Sequence, residues 1–190
     1  MKITIVGAGN VGGTLGRRWE AAGHQVRYAG RDDIPQAVAG AEVVVLATPW
    51  KAMSEVAAQL GGLRGTVLVD ATNPIGPGFS LDHGPGGESA AEWLARLVPG
   101  APVVKAFNTI GFNVMADPGF PGGAATLCYC GDDDGAKRRV HQLALDLGFE
   151  PADAGPLVQA RLLEPFALLW ITLAMKQGLG REMAFRLVRR

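Results

Sequence analysis

The hydrophobic pattern changes period close to the start of the chain. The run Ile3, Thr4, Ile5, Val6 reads as a buried strand, whereas Leu15, Trp19 and Ala22 recur at the spacing of one helix face. Between them stands Gly7-Ala8-Gly9-Asn10-Val11-Gly12, and a further run, Gln25 to Ala29, predicts a second strand. The alternation continues: Ala41 to Ala47, Thr66 to Val69, Val103 to Phe107 and Ala125 to Cys130 predict strands, with a short one near Phe149 to Ala152. Helices are predicted over Lys51 to Leu60, Glu88 to Leu97 and Asp134 to Leu147, and from about Leu157 to Arg190. Strands alternating with helices build a mostly parallel, doubly wound α/β sheet covered on both faces, here within a single domain over residues 1–190. The stretch from Pro74 to Gly87 is rich in Gly and Pro and fits no core element; it reads as a flap over a site.

The order strand, glycine loop, helix gives the first stretch its chemistry. In that context Gly7 permits the tight turn, Gly9 lets a pyrophosphate approach the backbone, and Gly12 lets helix and strand pack closely. Free amides at the helix start would then hold phosphates with the help of the helix dipole. The second strand ends in Gly30-Arg31. A guanidinium is a fixed fork of donors that stays charged, so Arg31 suits the 2′-phosphate of NADP and favours it over NAD. Asp32 and Asp33 follow, and either could instead accept a ribose hydroxyl if Arg31 were merely solvated.

Open sheets of this kind bind ligands beyond the carboxyl ends of their strands, which selects three further loops. Thr48-Pro49-Trp50 follows the third strand, Asn73-Pro74 the fourth and Asn108-Thr109-Ile110 the fifth, so these residues are expected to ring a nicotinamide and its redox partner. Thr48 before Pro49 serves equally well as a helix cap, and Trp50 as a core filler. Hydride transfer between two flat rings asks little of side chains beyond holding them and excluding water, so no general acid or base is assigned. Asp82 and His83 in the flap are the weak candidates, with surface exposure as their plainer reading; His24 and His141 read as surface residues.

Composition narrows the partners. Lys and Arg balance Asp and Glu at a formal net charge of zero, which leaves no field to draw nucleic acid or an anionic membrane surface. The chain enters a strand directly and no apolar run reaches the roughly twenty residues of a membrane span, so a cytoplasmic protein is expected. Cys128 and Cys130, two apart on one strand, are poorly placed to bridge and too few for zinc. Asp132, Asp133 and Asp134 precede a helix and read as caps rather than metal ligands. Arg161 and Glu164, one turn apart, read as a surface pair, and the apolar run Phe166 to Met175 as a core helix or a dimer contact.

Several of these segments together carry a resemblance. Gly7 to Gly12, Gly30-Arg31, Thr48-Pro49-Trp50, Val104 to Thr109, Gly131-Asp132-Asp133-Asp134 and Asp153 to Leu157 with Arg161 and Glu164 resemble the NADP oxidoreductases dependent on the deazaflavin coenzyme F-420. The run Lys105-Ala106-Phe107-Asn108 is also similar to the oxidoreductase domain of the STEAP ferric reductases. The resemblance implies a Rossmann-type domain with C-terminal helices, often homodimeric, that binds NADP and transfers hydride to or from coenzyme F-420 or a flavin as co-substrate. Residue by residue it implies Gly7, Gly9, Asn10, Val11 and Gly12 at the pyrophosphate, Arg31 at the 2′-phosphate and Thr48 to Trp50 at the nicotinamide half. Asn73, Asn108 and Thr109 would line the acceptor pocket. Direct reduction of a small carbonyl, imine or quinone, and a non-catalytic NADP-sensing module, are the alternatives.

Overall fold

One seven-stranded sheet runs through the computed structural model, which describes residues 1–190. The strands are β1 (Lys2–Val6), β2 (Gln25–Ala29), β3 (Val43–Leu46), β4 (Val67–Asp70), β5 (Val103–Lys105), β6 (Gly119–Phe120), β7 (Gly123–Ala124), β8 (Thr126–Gly131) and β9 (Glu150–Asp153). The helices are α1 (Asn10–Ala21), α2 (Ile34–Val38), α3 (Met53–Leu60), α4 (Ala90–Leu97), α5 (Phe112–Ala116), α6 (Asp134–Asp146) and α7 (Ala160–Ile171). The sheet order is β2-β1-β3-β4-β5-β8-β9, parallel throughout except between β5 and β8, while β6 and β7 pair separately. This is a Rossmann-type α/β fold.

Near-continuous apolar strands are explained by cores on both faces of the sheet. Val43 and Val45 of β3 point to one face, where Leu15 and Trp19 of α1 and Val140 and Leu143 of α6 cover them. Val44 and Leu46 point to the other, beneath Val38, Val56, Leu60 and Leu94 of α2, α3 and α4. Trp19 donates its indole N–H to the Leu143 carbonyl at 3.0 Å, so this large core ring leaves no buried donor unpaired. Helix α4 begins at a capping box: the Ser89 hydroxyl accepts from the Glu92 amide, and the Glu92 carboxylate accepts from the Ser89 amide.

Departures from the sequence reading have local causes. The helix expected to reach Arg190 ends far earlier. A 3-10 turn at Leu157–Gln159 leads into α7, which closes in a π turn at Thr172–Lys176; Gly178 and Gly180 then adopt φ of +73° and +77°, a left-handed backbone that stops a helix. The tail instead returns along the sheet, where the Thr126 amide donates to the Phe185 carbonyl and the Trp170 indole to the Met183 carbonyl, each at 3.0 Å. From Leu157 to Lys176 the helical path is 20 residues long and apolar enough to cross a bilayer, which the sequence run did not suggest because Glu164 and Pro165 interrupt it without breaking the helix. One face of it, with Ala160, Leu163, Glu164, Ala167 and Trp170, is packed against the domain. The short elements α2, α5 and the β6–β7 hairpin carry too little periodicity to be seen in sequence. The flap region holds a 3-10 turn at Pro77–Phe79 and a single bridge between Ile75 and Leu81.

Candidate functional site

Strand β1 lies between β2 and β3, so the chain leaves the ends of β1 and β3 on either side of a crevice. Gly7, just past β1, takes a φ of +100°, and a Cβ there would stand 2.7 Å from the Ala47 carbonyl oxygen. A Cβ on Gly12 would run into the Gly7 carbonyl oxygen and the Ile5 side chain. These two glycines are required by crowding within the protein. Gly9 differs: nothing lies within 4 Å of the place its Cβ would occupy, so its bareness leaves space for something else. It is also the N-cap of α1, where no side chain caps the helix and no acidic residue stands in the first turn. The opening amides of α1 therefore lack side-chain partners and face an N-terminus suited to an anion.

A cavity of about 290 Å³ adjoins this turn, lined by Gly7, Ala8, Gly30, Arg31, Thr48 and Pro49 among others. Tyr28 and Glu55 contribute its remaining polar side chains, and a Cβ on Gly16 would collide with the Tyr28 ring. Arg31 is exposed and forms no ion pair within the chain, whereas Asp33 is turned back to accept the Gly30 amide at 2.6 Å. Thr48 Oγ1 is buried with no hydrogen-bond partner. The geometry leaves an open cradle, an unengaged guanidinium and an unsatisfied hydroxyl around one hollow, which suits a phosphorylated dinucleotide.

The acceptor side is more divided than the sequence reading suggests. Trp50 does not line that cavity: a 3-10 turn at Trp50–Ala52 carries it to a second hollow of about 360 Å³, with Lys51, Asp82, His83, Pro85 and Trp93. There it meets Trp93 edge-on at 5.1 Å and donates to Asp82 at 3.1 Å, which ties the flap to the rim. Asn73 and Asn108 come together, the Asn73 amide donating to the Asn108 carbonyl at 2.8 Å and the Asn108 amide to the Leu163 carbonyl at 3.1 Å. Asn108, Thr109 and Ile110 are all buried, with Ile110 in the apolar core.

Residues 32–74 match the family model described as NADP oxidoreductase coenzyme F420-dependent. The metalloreductase STEAP3 of Rattus norvegicus is 32% identical over 88% of this chain and 36% of its own length. The metalloreductase STEAP2 of Homo sapiens is 35% identical over 58% of this chain and 21% of its own, so the chain spans about a third or less of these curated relatives. A solved chain from Arthrobacter sp. FB24, assigned to the F420-dependent NADP reductases, is 29% identical and superposes over the full length of both with a TM-score of 0.90. The chain is thus similar to the coenzyme F420-dependent NADP oxidoreductases, by a local match over residues 32–74 and a full-length structural likeness. The reductive aminase of Aspergillus terreus, 19% identical over 93% of this chain and 62% of its own with a TM-score of 0.67, shares the fold.

The sequence reading missed a buried charge cluster beside Asn73 and Asn108. Lys105 Nζ lies 2.8 Å from Asp70 Oδ2 and 3.0 Å from Glu164 Oε1, all three side chains being shut off from solvent. Burial favours a neutral amine, but the two carboxylates outweigh it and raise the Lys105 pKa, so the cluster keeps its cation. The signal available was a lysine inside the apolar run Val103 to Phe107. Arg161 and Glu164 do not pair with each other. Arg161 grips Glu92 of α4 through two hydrogen bonds at 2.8 and 3.0 Å, and Glu164 points inward. Burial alone would raise the Glu92 pKa; hydrogen bonds from Arg161 and Ser89 prevail and lower it to about 2. His24 and His141 are also engaged rather than free at the surface, the first with Asp146 at 2.9 Å and the second with the Tyr129 hydroxyl at 3.0 Å. Asp133 caps α6 through the Ala136 amide, Asp132 accepts the Leu157 amide and Asp134 pairs with Lys137. Cys128 and Cys130 are free thiols, and burial pushes Cys130 up to about 12.

Proposed function

We propose that this oxidoreductase transfers hydride between NADP(H), seated in the glycine cradle, and a planar redox co-substrate of the deazaflavin or flavin class. One observation supports the nucleotide assignment above the others: Arg31, without a protein partner, lines the same cavity as Gly7 and Thr48, while Asp33 is occupied by the Gly30 amide. Gly7, Gly9, Asn10, Val11 and Gly12 would hold the pyrophosphate on backbone amides, and Gly30 and Arg31 the 2′-phosphate. Thr48 and Pro49, with Asn73, would border the nicotinamide half, while Trp50 stands in the neighbouring hollow. Asn108, with the neighbouring Thr109 and Ile110, would back the co-substrate pocket, and its mutual hydrogen bonds with Asn73 would hold that side chain in place. When bound, the nicotinamide supplies the hydride; the chain binds, orients and excludes water, and no side chain is needed as acid or base. The family description and that of the Arthrobacter neighbour both name coenzyme F420, which supports the deazaflavin as co-substrate. A second copy of the chain is the expected protein partner, and two unbridged cysteines fit a reducing, cytoplasmic setting.

Arg31→Ala should weaken NADPH by about tenfold or more and leave NADH nearly unchanged in calorimetry, because a charge-assisted phosphate contact is lost. Equal losses for both nucleotides would overturn the phosphate assignment. Following NADPH absorbance with coenzyme F-420, flavin mononucleotide and a carbonyl, imine and quinone panel identifies the co-substrate. Turnover with the last group alone would replace the deazaflavin reading, and tight NADPH binding without any turnover would replace it with a sensing module.

A further inference from the structure

We propose that Lys105 is a positioning residue for hydride transfer, which holds the Asn73–Asn108 rim and helix α7 in fixed relation from beneath the crevice. This rests on the function proposed above and adds to it a residue that touches neither nucleotide nor co-substrate. The side chains of Asp70, Lys105 and Glu164, at the ends of β4 and β5 and on α7, are 0%, 0% and 2% exposed. The contacts of this cluster lead to the rim, to α7 and to the start of α4. Lys105 Nζ donates to the Thr72 carbonyl at 2.8 Å, and Asp70 Oδ1 accepts the Thr72 amide at 2.9 Å, so the residue preceding Asn73 is held at both of its peptide groups. The second oxygen of Glu164 accepts the Ala90 amide at the start of α4, and the neighbouring Leu163 carbonyl receives the Asn108 side chain.

The backbone points to the same place. Phe107, between Lys105 and Asn108, adopts a φ of +64° although it is not glycine and is 1% exposed. Such a conformation persists only where its surroundings overdetermine it, and it gathers at sites where a side chain must be aimed. Stability does not account for the cluster. Desolvating three charges is expensive, and replacing a buried ion cluster with apolar side chains is often neutral or stabilising. The Lys105 ammonium instead meets one acceptor at the end of β4, one in the loop after it and one on α7, Asp70 Oδ2 and the Thr72 carbonyl at 2.8 Å and Glu164 Oε1 at 3.0 Å, which fixes the rim and α7 relative to one another.

The test is a variant that removes the charges with little change in volume, Asp70→Asn with Lys105→Met and Glu164→Gln together. The expected result is cooperative unfolding as in the parent, NADPH affinity within about threefold, and kcat with the co-substrate lower by about tenfold or more, since small misplacements of reacting groups are costly. Hydrogen–deuterium exchange of the free protein should quicken in the peptides covering residues 71–74 and 107–111. Unchanged kcat in the folded variant, loss of NADPH affinity by the same factor as kcat, or unchanged exchange would each overturn the proposal. If the triple variant does not fold, Glu164→Gln alone decides: it keeps the Ala90 contact, and is expected to lower kcat about threefold at constant NADPH affinity, whereas native kcat would overturn the assignment. Exchange needs no turnover, so a parent protein inert toward every co-substrate would refute the proposed reaction while the hold on the rim is still measured.

Discussion

At the residue scale, neighbouring glycines in one motif serve different masters. Gly12 is bare because the Gly7 carbonyl and Ile5 crowd it, and Gly9 is bare although nothing of the protein is near it. Gly12→Ala should therefore cost roughly 1–3 kcal/mol in denaturant unfolding, the usual range for overpacking. Gly9→Ala should cost no more than about 1 kcal/mol, the scale of a cap substitution, yet weaken NADPH by about tenfold or more because a methyl stands where a pyrophosphate would approach the backbone. Measuring unfolding and nucleotide affinity on both variants separates the two roles; equal behaviour would show that the space over Gly9 is not a ligand space.

At the element scale, α7 is fastened to α4 by Arg161 on Glu92 and by Glu164 on the Ala90 amide. The Glu92 carboxyl sits at about 2 against an ordinary 4.5, so its native contacts favour the charged form. Its contribution is present above pH 4.5 and is lost as pH falls toward 2. The urea midpoint of the parent relative to Glu92→Gln should thus rise between those values and level off above them; a difference independent of pH would mean that the Arg161 pairing does not stabilise the fold. The same element shows what the sequence could convey. Strands β1, β3, β4 and β5 are legible because a buried parallel strand is a largely apolar run, edge strand β2 by its alternation, and Gly30-Arg31 because a strand end fixes where a ligand contact belongs. The inward turn of Glu164 is not legible, since its partners Lys105 and Ala90 are distant in the chain and the spacing to Arg161 suggests a simpler local pair. The end of α7 is hidden for a related reason: the tail composition suits a helix, and only the left-handed Gly178 and Gly180 with the docking of Phe185 on Phe166 redirect it.

At the scale of the whole molecule, α7 presents two apolar sides and the domain covers one. Ala160, Leu163, Ala167 and Trp170 face the protein, while Leu162 and Leu169 stand 66% and 48% exposed on the other side, with Val158 in line with them at helical spacing. Exposed leucines scattered singly would call for no explanation, whereas a stripe along one helix is where the second copy proposed above would pack. A second copy of the chain is the occupant expected there, and a stripe shared by two copies about a twofold axis would bury itself on itself. Sedimentation velocity at micromolar concentration should show a dimer for the parent and a monomer for Leu162→Glu with Leu169→Glu. Because both side chains already face water in the single chain, the double variant should unfold at nearly the parent's denaturant midpoint in the dilute limit, so loss of the dimer cannot be attributed to loss of the fold. A parent that sediments as a monomer across the concentration range would remove the second copy from this face.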